Sequence, residues 1–168
     1  MDFTIRPATI ADRPAMLAVY NYEILNGVAL FEITPKSPYD WEQWCRSHGL
    51  GNHFLLVAAS TDVPGGVAGF AGLGAYRDKE AYAATVELSI FVEQSCRRQG
   101  VGRALMEAVV AAARARDDIH TIVSVITGTN AASRALHEAC GFRCCGTIHE
   151  AGLKAGRLLD IVHYQLMV

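Results

Sequence analysis

The sequence predicts a single mixed α/β domain, a central sheet with helices packed on both faces, and three observations carry that expectation. With 168 residues, 51% of them hydrophobic, the chain can bury one ordinary core. Stretches of two-residue apolar period alternate with stretches of helical period, in the order strand, two helices, three strands, helix, strand, helix, two strands. The run GVGRALMEAVVAAARAR is strongly amphipathic, with Val101, Ala104, Leu105, Ala108, Val109 and Ala112 at helical spacing. No repeat, low-complexity tract or linker divides residues 1–168.

Residues 3–6 alternate as a short strand, and Thr9-Ile10-Ala11-Asp12 has a capping layout that opens a helix over roughly 11–26, where Leu17, Tyr20 and Ile24 share a face. Ser37-Pro38 sets an N-cap before a first-turn proline, predicting a second helix over about 38–48 that His48-Gly49-Leu50-Gly51 ends. HFLLVAA, 53–59, reads as a buried strand, and Asp62-Val63-Pro64-Gly65-Gly66 turns it into a hairpin partner, VAGFAGLGA. Glycines at 66, 69, 72 and 74 make that partner thin. ATVELSIFV, 84–92, is a third central strand with Thr85, Glu87, Ser89 and Phe91 on one face, so a carboxylate stands mid-strand. After the amphipathic helix, IHTIVSVIT reads as a buried strand, Asn130 caps a short helix that Gly141 terminates, and FRCCGTIHEAG and LLDIVHYQLMV finish as strands.

A net charge of −2 without any long run of like charge argues against nucleic-acid or anionic-membrane partners. No apolar run is long enough to span a bilayer, and MDFTIRPATI lacks the basic-then-apolar layout of a signal peptide, which places the chain in the cytoplasm. Five cysteines, at 45, 96, 140, 144 and 145, are an odd number in such a chain, so free thiols are expected. Cys140, Cys144 and Cys145 lack a second Cys or His pair at finger-like spacing, and no metal is expected.

The chemistry begins at RRQGVGRALM, 97–106. A helix N-terminus exposes unpaired amides and a partial positive charge, and glycines let backbone approach an anion closely. The layout excludes a P-loop, which ends in Gly-Lys-Ser/Thr, and a dinucleotide fingerprint, which sits in the first βα turn. Alone, Arg97-x-x-Gly100-x-Gly102 also fits an ordinary loop before a helix. Its context, after the central strand and ahead of Asn130 and Gly141-Phe142, resembles the GNAT superfamily of acyl-CoA N-acyltransferases over essentially the entire chain. Four segments in order, IRPATIADRPAMLAVYN, GAYRDKEAYAATVELSIFV, NAASRALHEACGF and GLKAGRLLDIVHYQL, are similar to its phosphinothricin and methionine sulfoximine or sulfone N-acetyltransferases. The resemblance implies a mixed, mostly antiparallel sheet, acetyl-CoA as cosubstrate, a small amino-acid-like substrate and a homodimer. It implies that acetyl-CoA contacts the backbone of Ile90, Phe91 and Val92, the loop Arg98, Gln99, Gly100, Val101, Gly102 and Arg103, and Asn130.

Acetyl transfer to an amine needs a free lone pair, yet an α-amino group, with a reference pKa of about 8, is mostly protonated at neutral pH. Glu87 suits the base if burial raises its pKa; a structural ion pair is the other duty of such a carboxylate. The resemblance assigns the base to this T-V-E glutamate. Asn130, Ser133 and His137 form a polar helical stripe, and the resemblance makes His137 a candidate acid for the leaving thiolate, though a lone helix histidine is also commonly structural. Direct attack in a ternary complex is implied, with oxyanion donors near Ile90 and Phe91 if the strand splays there. Arg77, Lys79 and Tyr82 match substrate-pocket positions, with Thr85, Leu88 and Ser89 beside Glu87 and Phe31 in the loop after the first helix; Arg77 and Lys79 equally fit a solvated loop. Lys154, in the GLKAGR turn, lies where related enzymes reach a neighbouring active site. Gly27-Val28-Ala29-Leu30 is more apolar than in relatives, and Leu88 replaces a common histidine or serine. Acetylation of a polyamine, an aminoglycoside or a protein N-terminus, and a non-catalytic acyl-CoA sensor, are the rival readings; two cations in YRDKEAY favour an anionic substrate.

Overall fold

Helix starts follow the residues that predict them, with one change of geometry. The computed structural model describes residues 1–49 and 51–168; Leu50, within the expected stop of the second helix, lies outside the described residues. Strand β1 covers Thr4–Pro7, and the expected helix opens with a 3₁₀ turn, Ile10–Asp12, before α1 at Arg13–Asn26. Asp12 makes this corner. Its nearly buried carboxylate accepts from the Thr9 amide at 2.7 Å and hydroxyl at 2.8 Å, and from both Arg6 terminal nitrogens at 2.7 and 2.8 Å. The guanidinium holds the Asp12 carboxyl far below the usual carboxylate range. Helix α2 covers Pro38–Ser47, its first turn capped by Ser37 Oγ accepting from the Asp40 amide at 3.1 Å.

The remaining elements are β2 (Phe54–Ala59), β3 (Val67–Ala75), β4 (Thr85–Val92), α3 (Val101–Arg114), β5 (Thr121–Thr127), α4 (Ala131–Ala139), β6 (Arg143–Lys154) and β7 (Arg157–Met167). They build a seven-stranded sheet in the order β1-β2-β3-β4-β5-β7-β6. Every neighbouring pair is antiparallel except β4–β5, as the mixed, mostly antiparallel class requires.

Two apolar layers hold the sheet. On one face Leu105, Met106 and Val109 of α3 pack on Ala71, Leu73, Val86, Leu88 and Ile122; on the other, Met16, Tyr20 and Ile24 of α1 and Trp41 and Cys45 of α2 pack on Phe70 and Phe91. Each Leu, Ile, Val, Met or Phe among them contributes about 1.5–3 kcal/mol on burial, whereas an exposed pair such as Arg103–Glu107 is worth at most about 1, so these layers and not surface charge decide the fold. The two-residue period divides β4 cleanly. Val86 and Leu88 enter the α3 layer while Phe91 enters the other. Leu88 is therefore corrected: it is a core residue under α3, on the face opposite Glu87, and does not stand beside Glu87 in a pocket.

The β6–β7 hairpin reaches back over its own chain. Lys154, expected near a neighbouring subunit, is buried and donates from Nζ to the Leu30 carbonyl at 2.7 Å. A Cβ built on Gly152 would stand 2.4 Å from the Phe31 ring, so that glycine admits the ring against the strand. Together with Thr127, whose hydroxyl donates to the Val28 carbonyl at 2.6 Å, these contacts pin the apolar 27–31 loop against the ends of β5 and β6.

Candidate active site

The parallel pair β4–β5 opens partway along. Thr85, Val86 and Glu87 pair with Thr121, Ile122 and Val123, and beyond Glu87 the register stops while β4 continues to Val92 paired with β3 alone. The β5-facing edge of Ile90, Phe91 and Val92 thus has no strand partner among the described residues, which is the splay that an oxyanion or a linear thioester arm requires.

The chain leaving β4 folds into a tight loop. The Glu93 carboxylate accepts from the Ser95 amide at 2.7 Å and from the Ser95 hydroxyl, Gln99 Nε2 donates to the Ser95 carbonyl at 2.7 Å, and Arg97 pairs with Glu23 of α1 at 2.8 Å. Gln99 acts here through its side chain as a strut of the loop. Arg98 and Gly100 take left-handed backbone, with φ of 63° and 87°. Gly100 is the N-cap of α3 and offers no side-chain acceptor, so the first amides of the helix, at Val101, Gly102 and Arg103, keep their donors open to an anion. A Cβ on Gly102 would lie 3.5 Å from both Val92 and Leu136, so this loop, the end of β4 and α4 meet at one point. Asn130 caps α4, its Oδ1 accepting from the Ser133 amide at 3.2 Å. Arg103 pairs with Glu107 on the exposed side of α3, and Arg98 is exposed.

Glu87 sits at the root of the splay. Its half-buried side chain has no hydrogen-bond partner among the described residues, and burial pushes its pKa up from the ordinary carboxylate value, with the charge of Arg77 opposing the rise. Arg77 lies over the Tyr76 ring, 5.0 Å from its centroid, and Tyr82 meets Tyr76 edge-on at 5.5 Å. A cavity of about 530 Å³ opens beside them on the same sheet face, bounded by Tyr76, Tyr82 and Thr85 on one side and by Cys145, Thr147 and His163 on the other. Tyr82 and Thr85 border this cavity, Arg77 is near enough for its charge to act on Glu87, and Glu87 and Ser89 follow Thr85 on the same face of β4. Lys79 is exposed ahead of the 3₁₀ turn Glu80–Tyr82 and does not border that cavity.

His137 is placed elsewhere. It is 2% exposed on the α3 side of the sheet, with Nδ1 on the Ser133 carbonyl at 2.8 Å and Nε2 on Ser124 Oγ at 3.0 Å. Both ring nitrogens are engaged, burial pushes its pKa down, and the sheet separates it from the Glu87 carboxylate face. Sequence reasoning passed over His48, which ends α2 with its ring against Gly74, the residue opposite Glu87. The signal was present as Trp41, Trp44 and His48 at i, i+3 and i+7.

All five cysteines are free, no three His, Cys, Asp or Glu side chains gather as a metal group among the described residues, and no helix there is long and apolar enough to cross a membrane. The profile of the family described as Acetyltransferase (GNAT) family matches residues 18–142. The chain is 36% identical over 166 residues to an L-methionine sulfoximine/L-methionine sulfone acetyltransferase of Pseudomonas aeruginosa, covering 99% of this chain and 95% of that one. The crystal structure of a GNAT superfamily phosphinothricin acetyltransferase from Sinorhizobium meliloti in complex with AcCoA superposes with a TM-score of 0.91 at 34% identity, covering 100% of this chain and 89% of that one. A ribosomal-protein-alanine N-acetyltransferase from Brucella melitensis superposes with a TM-score of 0.92 at 36% identity, covering 98% and 99%. On the splayed sheet, the open α3 N-terminus and this likeness over nearly its full length, the chain belongs to the GNAT acetyltransferase family, enzymes that transfer an acetyl group from acetyl-CoA.

Proposed function

We propose that the protein acetylates the α-amino group of a small amino acid or analogue, of the methionine sulfoximine, methionine sulfone or phosphinothricin type, by direct transfer in a ternary complex with Glu87 as the base. The observation that carries the reading is Glu87 itself: a half-buried carboxylate without a hydrogen-bond partner among the described residues, at the root of the β4–β5 splay and beside the 530 Å³ cavity. Residues fit for the acyl donor are the open amides of Val101, Gly102 and Arg103 for its pyrophosphate, and the unpaired β4 edge at Ile90–Val92 for its extended arm. Acetyl-CoA supplies an activated thioester carbonyl there.

Burial keeps Glu87 a stronger base than a solvated carboxylate, so it can draw a proton from the substrate ammonium directly or through a water. Arg77 stands ready for the substrate's carboxylate or acidic head. The β4 edge offers amides to the developing oxyanion. A thiolate leaves readily, and because His137 is committed to Ser124 and Ser133, solvent or the protonated nitrogen of the tetrahedral intermediate reprotonates it. We also propose a cytoplasmic homodimer built on the exposed edge strand β6, where Ile148 and Leu153 face outward; sedimentation tests the assembly.

The test is thiol release from acetyl-CoA with methionine sulfone, methionine sulfoximine, phosphinothricin, polyamines, aminoglycosides and alanine-initiated peptides. The Brucella neighbour's name makes the peptides the second reading. Turnover confined to the amino-acid analogues supports the proposal, and turnover only on peptides or polycations overturns the substrate class. Glu87→Gln should lower kcat/KM about 10²–10⁴-fold while acetyl-CoA still binds; a variant with undiminished turnover removes Glu87 from the role.

A further inference from the structure

The α2 face that covers the sheet ends in a histidine set against the strand that holds Glu87's neighbour. Trp44 and His48 are in ring contact, with centroids 3.9 Å apart, and Nδ1 of His48 lies 2.8 Å from the Trp44 carbonyl. A carbonyl only accepts, so Nδ1 carries the proton and Nε2 presents its lone pair. That nitrogen faces a notch. A Cβ built on Gly74 would stand 2.7 Å from Nε2, so no residue but glycine admits the ring where it is. Glycine inside a strand costs about 0.5–1 kcal/mol relative to alanine, and close approach of another group is the usual reason for it.

Gly74 is the register partner of Glu87. Directly opposed residues project from the same sheet face with Cβ positions about 4.5–5.5 Å apart, and the glutamate side chain adds two more bonds before its carboxylate. The His48 ring, over Gly74, and the Glu87 side chain thus stand over paired residues on one sheet face. Neither Nε2 nor the Glu87 carboxylate has a hydrogen-bond partner among the described residues. His48 also borders a second cavity of about 260 Å³, set between α1, α2 and β2 and away from the first. The titratable and charged groups around the ring are Glu87 from β4, Cys45 from α2, Arg13 from α1 and His53 ahead of β2. Burial, with a smaller contribution from His53 and against the hydrogen bond to the Trp44 carbonyl, lowers the proton affinity of His48, so the resting ring is neutral with Nε2 unprotonated.

We infer that His48 serves Glu87's proton, taking it at Nε2, the nitrogen over Gly74, and returning it to water at the ring. The inference rests on Glu87 being the base. Glu87 removes a proton from the substrate ammonium, leaving the free amine and a carboxylic acid. The acid proton passes to Nε2, restoring the carboxylate and forming an imidazolium whose Nδ1–H stays on the Trp44 carbonyl. The Nε2 proton then leaves to water, and the ring returns to its first tautomer. Only bonds to hydrogen change, and the carboxylate is reset for the next turnover.

The test is His48→Gln, assayed at saturating acetyl-CoA and amine near pH 7 in dilute and concentrated buffer. The expected result is a kcat about 10-fold lower in dilute buffer with the amine KM within about 2-fold, restored toward wild type by added imidazole, to which the wild type does not respond. A kcat equal to wild type, or a loss that neither buffer nor imidazole repairs, overturns the inference. If the variant does not fold, nitrogen NMR of the His48 ring in wild type and Glu87→Gln decides: loss of the neighbouring carboxylate should lower the His48 titration midpoint, and an unmoved midpoint overturns the coupling. An active Glu87→Gln enzyme overturns the base reading itself; an inactive one beside a wild-type-like His48→Gln overturns only the relay.

Discussion

Replacing Gly100 by alanine isolates what the left-handed N-cap of α3 contributes. A Cβ on Gly100 meets nothing within 4 Å, so the substitution introduces no clash, and its whole cost is the backbone at φ 87°. Holding a residue with a Cβ in left-handed backbone costs about 1–2 kcal/mol. If the loop keeps its shape, that strain lowers the melting temperature by about 2–8 °C for a chain of this size. If residue 100 instead relaxes to negative φ, the flanking peptide planes rotate and the first helix amides turn off the anion. Binding must then restore the strained state, and the Kd for acetyl-CoA rises about 5–30-fold, the same 1–2 kcal/mol read as affinity. Gly102→Ala is the control, because a Cβ there sits in ordinary contact, 3.5 Å from Leu136 and Val92, on helical backbone. It should melt no lower than wild type, since alanine is the better helix former by about 1 kcal/mol. Differential scanning fluorimetry and calorimetric titration with acetyl-CoA read the two quantities. A Gly100→Ala protein matching wild type in both, or a Gly102→Ala protein losing more than it, refutes the assignment of this turn.

Two further outcomes follow from charges near the site. Arg77 holds the Glu87 pKa down against burial, so Arg77→Gln should move the acid limb of the kcat/KM profile to higher pH, because the base must be ionised to act; a limb that stays or moves to lower pH contradicts the pairing. Lys154→Met leaves the Leu30 carbonyl without its donor, which should cost about 1–3 kcal/mol in urea unfolding and loosen the 27–31 loop, raising the amine KM while the acetyl-CoA KM holds.

Much of the fold was legible because its signals are local. Ser37, Pro38 and Asp12 mark helix starts through contacts within three residues, and the two-residue period of β4 already put Leu88 opposite Glu87. Leu88 was assigned to the pocket by likeness of position to relatives, against its own periodicity, and the periodicity prevailed. The candidate segments were contiguous and therefore easy to propose: Arg98–Arg103 and Ile90–Val92 adjoin the opened ladder. The site was not legible where distant strands decide. The pairing of Lys154 with Leu30 spans 124 residues, and that of His137 with Ser124 joins a helix to a strand whose facing depends on the β4–β5 register. A helical stripe shows that Asn130, Ser133 and His137 are neighbours, and says nothing of which sheet face they meet.

The β3–β4 ladder explains how one sheet face serves both as core and as site. Its opposed pairs run Phe70 with Phe91, then Gly72 with Ser89, then Gly74 with Glu87. At the first pair two rings, 5.1 Å apart, join Tyr20 and Trp41 in the core beneath α1 and α2. Two residues on, Gly72 has Leu55 and the Phe54 carbonyl where its Cβ would stand, and at the third pair the vacated volume is filled by the His48 ring, supplied from α2. Side-chain volume on β3 thus falls away while polarity on β4 rises, and the covering helix changes in step from indole to imidazole. A carboxylate placed at the first pair would be sealed under aromatic rings with no outlet for a proton. At the third it is buried enough for its pKa to rise and is still flanked by Arg77, by a substrate-sized cavity and by a ring with a free nitrogen. The glycines of β3 therefore set the surroundings of Glu87: filling Gly74 would dislodge His48 and alter the setting of the carboxylate without touching the carboxylate itself.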